Sequence, residues 1–193
     1  MRSSALNLRE ITDAILWDPG ATLQLLRVVD EEYRGDEGRP TRIEHCIALM
    51  NHERWYGTVC SSVIGSEDQH ISSAWKQFRR NAQYAREAAM RIKGFCPEEA
   101  YLVGLLHQIG KLPHLLGWTK EKAYTTIDER VVGVRLAQSW SAPKYLIEAM
   151  RDQQQGSETG WNTLLRIAQQ DGERHHRIED AFHNARLATS FIC

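Results

Sequence analysis

Apolar positions recur along most of the chain at the three- and four-residue spacing of a helix face, and strand-like alternation is almost absent. Leu6, Ile11, Ala14 and Ile15 form a first short stripe. Asp18-Pro19-Gly20 reads as a helix start, with Asp18 as N-cap and Pro19 at the first helical position. Leu23, Leu26 and Val29 supply that helix's buried face. The Gly-, Pro- and charge-rich stretch from Arg34 to Pro40 predicts a loop. Thr41 with Glu44 makes a capping box, so a helix is expected to start there and bury Ile43, Ile47 and Met50. A further segment runs from His52 to Ile64, and Gly65 to Gln69 reads as a connector.

The longest clear helix follows. Trp75, Phe78, Ala82, Ala85, Ala89 and Ile92 lie on one face, and Gly94 is its expected C-cap. Pro97-Glu98-Glu99 opens the next helix, with the stripe Leu102, Leu105, Leu106 and Ile109. Later helices are expected over Asp128 to Trp140, Pro143 to Met150, Trp161 to Gln170 and Ile178 to Phe191. Gln153 to Gly160 reads as a polar loop. The pattern predicts an all-α fold in one domain spanning 1–193. An N-terminal helical lobe over 1–66 would pack on a larger helical lobe over 67–193.

Composition narrows the function classes. Apolar residues form 42% of the 193, enough for a core without disulfides. Lysine plus arginine (24) nearly balance aspartate plus glutamate (25), which leaves no footprint for broad nucleic-acid or membrane attraction. Cys46, Cys60, Cys96 and Cys193 are scattered with no CxxC pair, which fits small buried hydrophobes in a reducing compartment. The first residues leave no room for a signal-peptide core, and no apolar run nears the ~20 residues that span a bilayer. The expectation is a cytoplasmic protein with neither membrane nor nucleic-acid partner. The sequence contains no GxSxG, GxxxxGK[ST] or GxGxxG motif.

One stretch carries more information. Gly104-Leu105-Leu106-His107-Gln108-Ile109-Gly110-Lys111 resembles the Gly-Leu-Leu-His-Asp-Ile-Gly-Lys signature of the HD superfamily of metal phosphohydrolases, with Gln108 in place of aspartate. Other landmarks resemble the HDOD branch: Asp18-Pro19 followed by Leu25-Leu26, the helix from Ile43 to Met50, Trp75, and Gly133 followed by Trp140 and Pro143. The resemblance spans about residues 5–190 and implies an N-terminal helical lobe on an HD-like lobe. It also implies a signalling output, as in bacterial regulation, often without hydrolase activity.

The chemistry of an HD site needs a divalent metal held by histidines and aspartates, which polarises a phosphoryl oxygen and acidifies a bound water. Carried over residue by residue, that set is broken here. The first metal histidine would fall two residues after Trp75, where Gln77 stands. His107 is kept, the aspartate is Gln108, and a further histidine position holds Glu129. The histidine pair of many relatives corresponds to Arg151-Asp152. Asp152 and Asp128 are the candidates for the final metal aspartate. A dication held by one imidazole, two neutral amides and at most one carboxylate would be poorly compensated. We therefore expect no catalytic residue, no metal and no cofactor.

The candidate site is a vestigial pocket of Gln77, His107, Gln108, Lys111 and Glu129. His107 reads as one member of a helix-end polar network, or alternatively as part of a pocket for a phosphate-bearing ligand. Lys111 reads as solvated or as facing that anion. The His175-His176 pair with His183 lacks a supporting carboxylate pattern and reads as solvated or capping. Lys76, Arg79, Arg80, Arg86 and Arg91 make one helix basic on its exposed side, which fits a solvated face or a protein contact. Of the six tryptophans most should be core, with Trp118 the candidate for a partner contact. The expected function is a non-catalytic signalling module acting through a protein partner. The alternatives are a residual phosphohydrolase on nucleotides or cyclic nucleotides, and a metal-free nucleotide sensor.

Overall fold

The computed structural model describes residues 8–32, 43–49, 69–115, 128–140, 142–156 and 160–190. Among them all regular structure is helical: α1 (Leu8–Trp17), α2 (Pro19–Glu32), α3 (Ile43–Leu49), α4 (Gln69–Arg91), α5 (Pro97–Leu106), a 3₁₀ turn (Ile109–Lys111), α6 (Leu112–Leu115), α7 (Glu129–Ser139), α8 (Lys144–Gln155) and α9 (Gly160–Ser190). Thr41, Met50, Trp55 and Trp118 lie outside the described residues, as does the segment from His52 to Ile64.

The α1–α2 corner forms as its sequence dictates. Asp18 Oδ1 accepts from the backbone N–H of Gly20 (2.7 Å) and Ala21 (3.2 Å), satisfying donors that the first turn of α2 leaves free. Pro19 sits at the first helical position. The Thr22 hydroxyl donates to Ile15 O (2.8 Å) across the corner and is fully buried. Asp18→Ala should lower stability by about 1 kcal/mol, and Asp18→Asn by only a few tenths, in urea denaturation. Equal losses for the two would sink the capping account.

One continuous core runs from Ile11 and Ile15 through Leu25, Leu26, Phe78, Leu105, Leu106 and Ile109 to Leu146 and Leu165. Helix α4 buries Ala74, Phe78, Ala82, Ala85, Ala88 and Ala89. This is the expected face, widened by Ala74 and Ala88, while Trp75 stays half-buried against Phe78. The alanines let α5 and α9 approach closely, and a second cluster of Ala85, Ala88, Ala89, Ala100, Leu164 and Ala168 fills that contact. After its acidic first turn, helix α5 is apolar on every side and buried from Leu102 to Leu106. Gly104 permits its closeness to α4, because a Cβ there would lie 2.7 Å from Asn81 O and Ala82 Cα.

Two expectations fail. The loop predicted from Gln153 to Gly160 is helical at both ends, since α8 continues to Gln155 and closes at Gly156 in the left-handed conformation (φ 65°), and α9 takes in Gly160. The two helices predicted over 161–170 and 178–191 are one continuous helix, α9. It runs through Gly172 because the Tyr84 ring packs where a side chain would project, 2.9 Å from a Cβ built there. Arg91 of α4 pairs with the neighbouring Asp171. These contacts on α4 offset the weak helix propensity of Gly172.

Candidate functional site

The signature residues occupy a helix end. Helix α5 stops at Leu106, His107 is its C-cap, and Gln108 (φ −105°, ψ 15°) turns the chain into the 3₁₀ segment. The turn is pressed against the start of α7, backbone on backbone, at Gly110 and Gly133. Asp128 caps α7, accepting from Arg130 N at 2.9 Å.

A cavity of about 410 Å³ opens beside this turn. Gln77 and Asn81 of α4, His107 and Gln108, Arg130 of α7 and Gln153 of α8 line it, and α9 closes it with Asn162, Leu165, Arg166 and Gln169. Three of the sequence-predicted site residues, Gln77, His107 and Gln108, are thus brought together. Lys111 and Glu129 are not part of the lining. Lys111 is half-buried, and its ammonium donates to Gln108 Oε1 at 3.1 Å. The Glu129 side chain is exposed, and its carbonyl is what meets Gly110. Arg151, Asp152 and Asp128 also lie outside the lining.

The protonation state of His107 follows from its partners. Its Nδ1 lies 2.9 Å from Gly104 O and 3.2 Å from Val103 O. Carbonyl oxygens only accept, so Nδ1 carries the hydrogen and Nε2 the lone pair. Burial lowers the imidazole pKa from its ordinary 6.5 to about 4, and the Lys111 ammonium acts in the same direction. The two carbonyls favour the cation without prevailing. His107 is therefore a neutral acceptor near pH 7. Since Lys111 occupies the Gln108 carbonyl oxygen, the Gln108 NH2 is left as a donor beside it.

A metal of the HD superfamily does not fit this lining. Among the described residues the donors are one neutral imidazole and neutral amides, and none of those lining the cavity is a carboxylate. Arg130 and Arg166 add two permanent positive charges to it, which oppose a dication. Among the described residues no group of three or more His, Cys, Asp or Glu side chains is arranged to hold a metal ion. His175 packs near Tyr84 (5.7 Å between rings), and the side chains of His176 and His183 are not among those described.

Asn81, Arg130, Gln153, Asn162, Arg166 and Gln169 escaped the sequence reading. A signal existed for some of them. Asn81 follows Gln77 by one turn, and Asn162, Leu165, Arg166 and Gln169 have the spacing of one helix face.

The sequence model of the HDOD domain family matches residues 1–156. The chain belongs to the HDOD family. The HDOD match ends before α9, so the cavity wall made by Asn162, Arg166 and Gln169 lies beyond the matched residues. Among solved structures, the fold is similar to that of the response regulator MmoQ from Methylococcus capsulatus str. Bath (TM-score 0.70, 20% identity), covering 92% of this chain and 81% of that one. A fragment of MmoQ gives a TM-score of 0.64 at 18% identity, covering 88% and 74%. At such identities the likeness concerns the HDOD fold. No curated protein matches the chain. No helix among the described residues is long and apolar enough to cross a membrane.

Proposed function

We propose that this HDOD chain is a regulatory module that works through contact with other proteins and performs no hydrolysis. The observation that carries this reading is the charge of the cavity at His107. Among the described residues the lining has two guanidiniums and no carboxylate, a set that does not compensate a dication, and without one the HD reaction has neither Lewis acid nor activated water. Membership of the HDOD family and the similarity to a response regulator support a signalling output.

Among the described residues the Trp17 corner is a candidate place for a protein partner to bind. Trp17, 65% exposed, lies under the Arg79 guanidinium at 4.5 Å and borders a cleft with Lys76, Arg80, Tyr84 and Tyr101. An exposed tryptophan beside arginines is the composition of an interface hot spot. Trp118 keeps its place as a second candidate contact.

Elemental analysis tests the reading. After incubation with manganese, iron and zinc and removal of excess, the purified chain without a metal-binding tag should hold no metal above background. About one equivalent per chain, lost in His107→Ala, would overturn it.

A further inference from the structure

The cavity at His107 has lost the charge that holds a metal and has the opposite one. Its volume of about 410 Å³ is that of a small-molecule site. We infer that it binds a sugar phosphate directly, without metal: the phosphate on Arg130 and Arg166, the hydroxyls on the amides and His107. The inference rests on the reading of this site as metal-free.

Three features point to that class. Arg130 and Arg166 are both exposed, which sets them at the mouth. Among the described residues neither is paired with a carboxylate, and the one contact of the Arg130 guanidinium is a long bond to Gln153 O at 3.4 Å. Guanidinium forks match phosphate oxygens. Inside, His107 Nε2 offers an acceptor and the Gln108 NH2 offers donors beside it. A hydroxyl both donates and accepts, so the hydroxyls of a sugar can meet both kinds of group. Gln77, Asn81, Asn162 and Gln169 extend the same mixed donor and acceptor surface. Finally, among the described residues no Phe, Tyr or Trp lines the cavity, so a nucleobase finds only the His107 imidazole, already committed through its edge, as a ring to stack on. Leu165 and Ala168 provide only a small apolar strip.

The test is titration calorimetry of the whole chain in excess chelator with ribose 5-phosphate, glucose 6-phosphate, the free sugars, inorganic phosphate and a 5′-mononucleotide, with phosphate release followed in parallel. The sugar phosphates should bind, each more tightly than the free sugar and inorganic phosphate, and no phosphate should be released. Arg130→Gln and Arg166→Gln, at exposed positions, should each weaken binding about tenfold while leaving the melting temperature of the free protein unchanged. Gln108→Leu should weaken the sugar phosphates and not inorganic phosphate.

No binding of either sugar phosphate in chelator would overturn this inference and leave the non-hydrolytic reading standing. Tighter binding of the mononucleotide, or inorganic phosphate binding as well as the sugar phosphates, would overturn the assigned class. Binding that appears only on adding a divalent metal, with phosphate released, would overturn both readings.

Discussion

Gly110→Ala should cost the fold about 3 kcal/mol or more, enough to leave a domain of this kind barely folded. A Cβ on Gly110 would lie 1.8 Å from Glu129 O and 2.8 Å from Glu129 C and Gly133 N. All three atoms are backbone, so no side chain can swing away. Either α7 must move off the 3₁₀ turn or the turn must leave the buried core that Ile109 anchors. Gly133 is the informative comparison. A Cβ there would meet Met150 Cε at 2.8 Å, the tip of a flexible side chain, and Gly110 N only at 3.3 Å. Gly133→Ala should therefore be the milder change. Urea denaturation of the two variants checks both statements. A Gly110→Ala protein within about 0.5 kcal/mol of the parent would refute the close approach.

Acid should destabilise the protein through His107, by up to about 3 kcal/mol between neutral pH and pH near 4. Unfolded, this histidine titrates near 6.5, and folded at about 4. Between those values the unfolded chain binds more protons, so protons favour unfolding. The neutral-state stability is fully present above about pH 6.5 and is lost as pH falls toward 4. The cause is chiefly desolvation, with the Lys111 ammonium adding to it. Other groups contribute to any acid transition, so the measurement is a difference. Denaturation curves of the parent and His107→Gln should diverge in slope below about pH 6.5, the variant being flatter. Parallel loss in both would show that His107 is not held neutral.

The helices themselves were legible where local chemistry and burial agree. Asp18-Pro19 gave the start of α2, and the apolar face from Trp75 gave the course of α4, because capping and 3.6-residue periodicity are written in neighbouring residues. Helix α4 nonetheless already begins at Gln69, which had read as connector. Continuity of α9 was not legible, since it depends on Tyr84 and Arg91 packing on Gly172 and Asp171 from another helix. The site was half legible. The signature located His107 and Gln108, and family spacing located Gln77. Glu129 and Arg130 show the limit. Successive residues on a helix point about 100° apart, so the position of the Asp128 cap decides which of the two faces the cavity. The arginines on α7 and α9 meet only after folding.

Helix α9 carries one cavity wall at its first turns and continues unbroken for 31 residues, about 46 Å. Tyr84 and Arg91 hold it at Gly172 and Asp171, between its two ends. It is thus a lever resting on a fulcrum. The arm from Gly172 to Ser190 is about 27 Å long, so a tilt of roughly ten degrees would swing its tip by about 5 Å. Any tilt of the helix at its cavity end would therefore be magnified along the arm beyond Gly172.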